Sequence, residues 1–242
     1  LEFTAVFCDT SWEHPITYAY IEEINQQLLG GKLVTVKSEE FGGGMRELVE
    51  VKKRVPSIKA RFCSDHLKWQ PMIAYLKTID DETVVYQGIR ADESKYRSLL
   101  REREWSDDFD AWIVRPLLAW RSEQCFEILR RHGVKPNPLY LAGARRVGCF
   151  PCVLITLGEL RRMSGLMPEL WDRMEELEGH ANGRSFFPPN YIAQRFHTGF
   201  DPKSGKSYPK LEDVKRYVEG QSEDLFADQP APTCMSVYNL CE

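Results

Sequence analysis

No apolar run in this 242-residue chain approaches the roughly 18 residues that a membrane-spanning helix needs, so no such span is expected. The opening Leu1-Glu2-Phe3-Thr4 lacks the basic stretch and apolar block of a secretory signal, and a cytoplasmic location is the expectation. Neither sign of charge is in large excess. The 32 Lys and Arg against 36 Asp and Glu leave a net charge of −4, which argues against bulk coating of nucleic acid but allows a local basic patch. No Ser-His-Asp arrangement is identifiable. His14, His66, His132, His180 and His197 show no i,i+4 pairing and read as surface or packed histidines. Gly42-Gly43-Gly44 lacks the Lys-Ser or Lys-Thr of a phosphate loop. No repeat or low-complexity tract stands out. What is present is 43% hydrophobic and 28% charged residues, the composition of a folding globular chain.

Short apolar runs alternate with helical periodicity in the first 140 residues. Phe3–Cys8 reads as a buried strand whose end carries Asp9 and Thr10. Pro15–Leu29 has apolar residues three or four apart, a helix pattern. Lys32–Val36, Thr83–Gly88 and Trp112–Leu117 read as further strands. Met45–Lys53 and Pro71–Lys77 read as helical, and Arg121–His132 as an amphipathic helix capped by Ser122 and stopped at Gly133. This alternation predicts an α/β fold: a mainly parallel, Rossmann-like sheet with helices on both faces. Ligands then sit beyond the strand ends, where Asp9 and Arg90 fall. From Gly143 the strand signal fades into an irregular or helical, proline-rich extension. Two parts are expected: an α/β domain over 1–142, and a cysteine-bearing extension over 143–242 packed on it. The Phe186-Phe187-Pro188-Pro189 loop is a lid or a packing plug.

Seven cysteines, an odd number, point to free thiols or metal ligands, not to a disulfide framework. Cys149-Phe-Pro-Cys152 can aim two sulfurs at one metal or cluster, or form a redox dithiol. Cys63, Cys234 and Cys241 are further candidates, whereas Cys8 and Cys125 read as packed core thiols. Gly88-Ile89-Arg90 leads to Glu93, Ser94 and Arg97. These residues form either a guanidinium grip for phosphate or sulfate, or a solvated helix start with a Glu93–Arg97 pair. Lys68 and Arg145-Arg146 place cations near proposed thiols.

In order along the chain, these segments resemble the phosphoadenosine phosphosulfate (PAPS) reductase family, within the adenine-nucleotide α-hydrolase-like group. The likeness rests on Asp9-Thr10 with Pro15; Cys63-x4-Lys68-x2-Pro71; Gly88-x-Arg90-x2-Glu93-Ser94-x2-Arg97; Pro116-Leu117-x2-Trp120; and Asn137-Pro138-Leu139-Tyr140 leading to Gly143, Arg146, Gly148, Cys149 and Cys152. The resemblance implies an adenine nucleotide (PAPS, APS or ATP) bound by Asp9, Lys68, Arg90, Glu93, Ser94, Arg97 and Arg146. It implies a [4Fe–4S] cluster, with zinc as the alternative, on Cys63, Cys149, Cys152 and one of Cys234 and Cys241. It also implies a tail nucleophile, taken as Cys241, that attacks nucleotide-bound sulfate, with a thioredoxin-like reductant or a sulfur donor as partner. Two departures stand out. Cys63-Ser64 replaces a Cys-Cys pair, and the family's Ser-Gly-Gly-Lys-Asp-Ser phosphate loop does not appear ahead of Asp9, so an N-terminally incomplete chain is expected. ATP-driven thiolation of nucleic acid and a non-catalytic, metal-stabilised binding module are the alternatives. A homo-oligomer is compatible with all three.

Overall fold

The computed structural model describes residues 2–79 and 81–220. The chain begins with β1 (Val6–Cys8), α1 (Pro15–Leu28), β2 (Val34–Val36) and α2 (Met45–Lys52). A short helix α3 (Phe62–Ser64) passes through a wide π turn, Asp65–Trp69, into α4 (Gln70–Leu76). Next come β3 (Val84–Tyr86), β4 (Arg103–Ser106), β5 (Ala111–Val114) and α5 (Ser122–Arg131). The last third holds α6 (Pro138–Leu141), α7 (Leu157–Leu166), α8 (Glu169–His180), β6 (Gly199–Asp201), β7 (Lys206–Tyr208) and α9 (Leu211–Gly220).

The class is α/β, with parallel pairing of β1 with β2 and of β3 with β5. Three strands escaped the sequence reading. β4 runs antiparallel to β5, and β6 and β7 form an antiparallel hairpin. β4 reads Arg-Glu-Trp-Ser and lies at a sheet edge, where charged residues replace the apolar signal. Helix α5 falls within the expected Arg121–His132, but its cap lies one residue earlier than Ser122. Arg121 is its cap, and its N–H donates to Gln124 Oε1 at 2.8 Å, while Ser122 is already helical.

The described residues divide into two compact units, and the division differs from a break at 142. One unit combines the chain up to Pro71 with the chain from Asn137 onward; the other is Met72–Pro136. Asn137 shows why residues after 136 join the first unit. Its side chain caps α6 through Leu139 N and reaches Thr17 Oγ1 of α1 at 3.4 Å. The first unit has a single large core running from Trp12 and Leu48 to Leu170, Met174, Leu177 and Val214. Phe186 and Phe187 are each 4% exposed within it, so the aromatic-proline loop is a packing plug. In the second unit, Val85, Phe109, Ala111 and Ile113 pack with Met72, Ile73 and Leu76 of α4. The opposite sheet face, bearing Val84, Tyr86, Trp105 and Trp112, is exposed among the described residues. No described helix is long and apolar enough to cross a membrane.

Candidate active site

The site of the first unit grows from the end of β1. The strand stops where Ser11 takes a left-handed conformation (φ 54°) and donates its N–H to Asp9 Oδ1 at 2.8 Å. Gly44 closes this turn from below. A Cβ there would lie 2.2 Å from Thr10 O, and its φ of +69° suits glycine. Gly44 therefore serves a close backbone approach, and Met45 N donates to Thr10 O at 3.0 Å.

Asp9 is buried. Burial works against its ionisation, but the Lys37 ammonium at 2.9 Å, the Tyr18 hydroxyl at 2.7 Å and Ser11 N–H prevail and hold its carboxyl below the usual range. Tyr18 is pushed up from its ordinary value by burial and by Asp9 and Glu13, so it stays a hydrogen-bond donor between the two carboxylates. Glu13, 3% exposed, accepts from Thr10 Oγ1 at 2.7 Å, Thr10 N at 3.3 Å, Trp12 N at 3.2 Å and Tyr18 OH at 3.1 Å.

The Cys149–Cys152 loop is fastened to this turn. Glu13 and Cys149 form an antiparallel bridge, Phe150 N donates to Trp12 O at 2.7 Å, and Trp12 Nε1 donates to Pro151 O at 3.2 Å. Arg173 of α8 clamps the same segment from the other side. It donates to the carbonyls of Trp12 and Glu13 and stacks 4.4 Å over the Trp12 ring. Thr10 Oγ1 spends its single proton on Glu13, so it accepts from Cys149 Sγ, 3.5 Å away.

Lys68 sits in the π turn, anchored by the fully buried Leu67, and stays open to solvent on one side. Burial disfavours its charge, but Cys149, Glu13, Cys63 and Cys8 outweigh that and raise it above its ordinary value. In return it lowers the three thiols, against a burial effect that leaves each above the usual range. Cys149 is pushed up to about 11. Cys8, expected in the core, belongs to this group instead. It is half-buried, and its thiol donates to Lys68 O at 3.6 Å.

Cys63, Cys149 and Cys152 share one region, and the charges of Cys63 and Cys149 both feel Cys152. Among the described residues, however, no three Cys, His, Asp or Glu side chains converge as metal ligands. Cys234 and Cys241, the tail cysteines expected to supply a fourth ligand and the nucleophile, lie outside the described residues. Arg146 is exposed and lines a cleft of about 20 Å³, room for about one water, with Cys149, Cys152, Glu159 and Met163.

The other predicted anion ligands are in the second unit. Arg90 reaches Asp92 at 3.1 Å and Glu93 at 3.4 Å, and Glu93 also pairs with Arg97. Ser94 Oγ accepts from Arg97 N at 3.2 Å. The four residues therefore come together, with both guanidiniums held by carboxylates of the same loop. The sequence reading missed Glu13, Tyr18 and Lys37. The one available signal for Glu13 was its place four residues beyond Asp9, in the turn that closes β1.

The family model described as the phosphoadenosine phosphosulfate reductase domain matches residues 1–154. An uncharacterized 37.8 kDa protein of Escherichia phage 186 is 30% identical over 99% of this chain and 89% of its own length. The adenosine 5'-phosphosulfate reductase of Allochromatium vinosum is 33% identical over 42% of this chain and 39% of its own. Among solved structures, the phosphate complex of a PAPS reductase from Candida auris matches with a TM-score of 0.47 at 18% identity. That match covers 62% of this chain and 70% of that one.

Proposed function

The chain belongs to the phosphoadenosine phosphosulfate reductase domain family, and from that membership we propose that it is a sulfonucleotide reductase-like enzyme. The observation that carries this reading is the setting of Lys68 beside Glu13 and the thiols Cys8, Cys63 and Cys149. A cation among thiols, open to solvent on one side, suits an anionic substrate that meets sulfur chemistry there.

In the proposed reaction, a thiolate, taken as Cys241, attacks the sulfur of nucleotide-bound sulfate. An S–S bond forms and the S–O bond to the nucleotide phosphate breaks, giving an enzyme thiosulfonate and the free nucleotide. A dithiol reductant of thioredoxin type then attacks the cysteine sulfur and expels sulfite. The reductant's second thiol resolves the mixed disulfide, so two electrons pass from dithiol to sulfur. Lys68, Arg146 and Asp9 are the proposed substrate-site residues of the first unit. Arg90, Glu93, Ser94 and Arg97 are those of the second, where binding would exchange a carboxylate partner for a phosphate or sulfate oxygen.

No step of this reading passes through a metal. Whether Cys63, Cys149 and Cys152 join a tail cysteine around a [4Fe–4S] cluster or a zinc ion is decided by iron, sulfide and zinc analysis of anaerobically purified protein. Activity is tested by sulfite release from APS or PAPS with thioredoxin or a small dithiol. Sulfite formation supports the proposal. Its absence, together with pyrophosphate release from ATP, replaces it with ATP-dependent thiolation.

A further inference from the structure

Residues 184–216 carry seven Lys and Arg against three Asp and Glu, in a chain whose net charge is −4. Of its three acids, Asp213 is buried, Asp201 is half-buried and Glu212 is exposed. Asp213 is 2% exposed and is occupied by Thr198 N at 2.8 Å, Thr198 Oγ1 at 2.9 Å, Lys210 N at 2.9 Å and Arg216 at 2.7 Å. Asp201 folds the tip of the β6–β7 hairpin, accepting from Lys203 N at 3.0 Å and Ser204 Oγ at 2.7 Å. Lys203, Lys206 and Lys210 are exposed, as is Arg195, whose guanidinium lies 4.9 Å over the Phe196 ring. Among the described residues no carboxylate lies within ion-pair distance of the three lysines.

The hairpin is a fixed ribbon. Gly199 lies so close to Tyr208 that a Cβ would come within 2.6 Å of its ring, and His197 ties Ser207 Oγ at 3.0 Å to Ile192 O at 3.1 Å. On this ribbon Phe200 is 62% exposed beside Ser207 on one face, with Lys206 opposite Asp201 on the other and Lys203 at the tip.

We propose that the β6–β7 hairpin, with Lys210 and Arg195, is a contact surface for single-stranded nucleic acid. Lysines that lie beyond ion-pair distance of any described carboxylate meet backbone phosphates, and a solvent-facing phenyl ring on this ribbon offers a platform on which an unpaired base stacks. A duplex hides its base faces, so the strand must be single. An anionic membrane is a poorer match, because one aromatic side chain offers little apolar area to bury. This surface does not depend on the sulfonucleotide reading, and its test measures binding alone.

The test is fluorescence polarisation of the 242-residue chain with a labelled single-stranded oligonucleotide across salt concentrations. Three or four phosphate contacts predict that log affinity falls against log salt with a slope of about −2 to −3. Lys203→Gln with Lys206→Gln reduces the slope by about 1.4, and Phe200→Ala weakens binding about tenfold without changing the slope. All three side chains are exposed, and circular dichroism checks that the variants stay folded. Three results overturn the proposal: no salt-dependent binding, binding unchanged in the lysine variant, or equal affinity for duplex or for phosphatidylserine vesicles.

Discussion

Glu13 and Cys149 lie 136 residues apart in sequence, yet their backbones form a bridge and Glu13 Oε1 stands 3.9 Å from Cys149 Sγ. The Thr10 hydroxyl fits between them, donating to the carboxylate and accepting from the thiol. A buried carboxylate so close to a thiol opposes its ionisation, and Lys68 opposes the carboxylate's effect.

Replacing Glu13 by Gln removes a negative charge beside Cys149 and so moves its titration down from about 11. At a fixed pH below that midpoint, alkylation of Cys149 speeds up by as much as about tenfold, the change that one pKa unit gives. Peptide mass spectrometry after timed alkylation reads this directly. A slower rate would mean that Glu13 acts on Cys149 mainly as a structural support.

The Lys68→Met substitution works in the opposite direction. Without the ammonium, Cys8, Cys63 and Cys149 all lose a charge that lowers their titration, and each becomes harder to ionise. Sulfite production is expected to fall at least about tenfold. Retention of full activity would remove Lys68 from the substrate site.

Asp9 makes stability depend on acid. Its folded-state titration lies below the ordinary value, so its contribution is present at neutral pH and is lost as pH falls below about 4 through the folded value. The thermal midpoint of the wild type should exceed that of Asp9→Asn near neutrality, with the gap narrowing on acidification. A gap that widened in acid would contradict this assignment.

Gly44→Ala places a methyl group against Thr10 O in a left-handed backbone. Urea unfolding should show a loss of at least about 2 kcal/mol. An unchanged midpoint would mean that the turn below Thr10 yields easily.

How much of this was legible in the sequence differs from residue to residue. Asp9 and Thr10 were visible because an apolar run ends on them, and Cys149 and Cys152 because their spacing is itself a signal. Glu13 was not, since the distant Cys149 loop bridges to it and Arg173 clamps its carbonyl, and neither leaves a trace between Trp12 and His14. Cys8 looked like core because it lies in an apolar strand; its neighbour Lys68 is 60 residues away. The β6–β7 hairpin was hidden because its strands, Gly-Phe-Asp and Lys-Ser-Tyr, are three residues each and too short to show apolar alternation. The Glu93–Arg97 pairing, by contrast, was available from i,i+4 spacing alone.

The central claim is that a thiolate of this chain attacks nucleotide-bound sulfate. Intact-mass spectrometry after incubation with APS or PAPS, with no reductant present, tests it most directly. The prediction is a mass increase of one SO3 group, located on Cys241, absent from Cys241→Ser and released as sulfite when a dithiol is added. A chain that stays unmodified by either nucleotide, while releasing pyrophosphate from ATP, would contradict it.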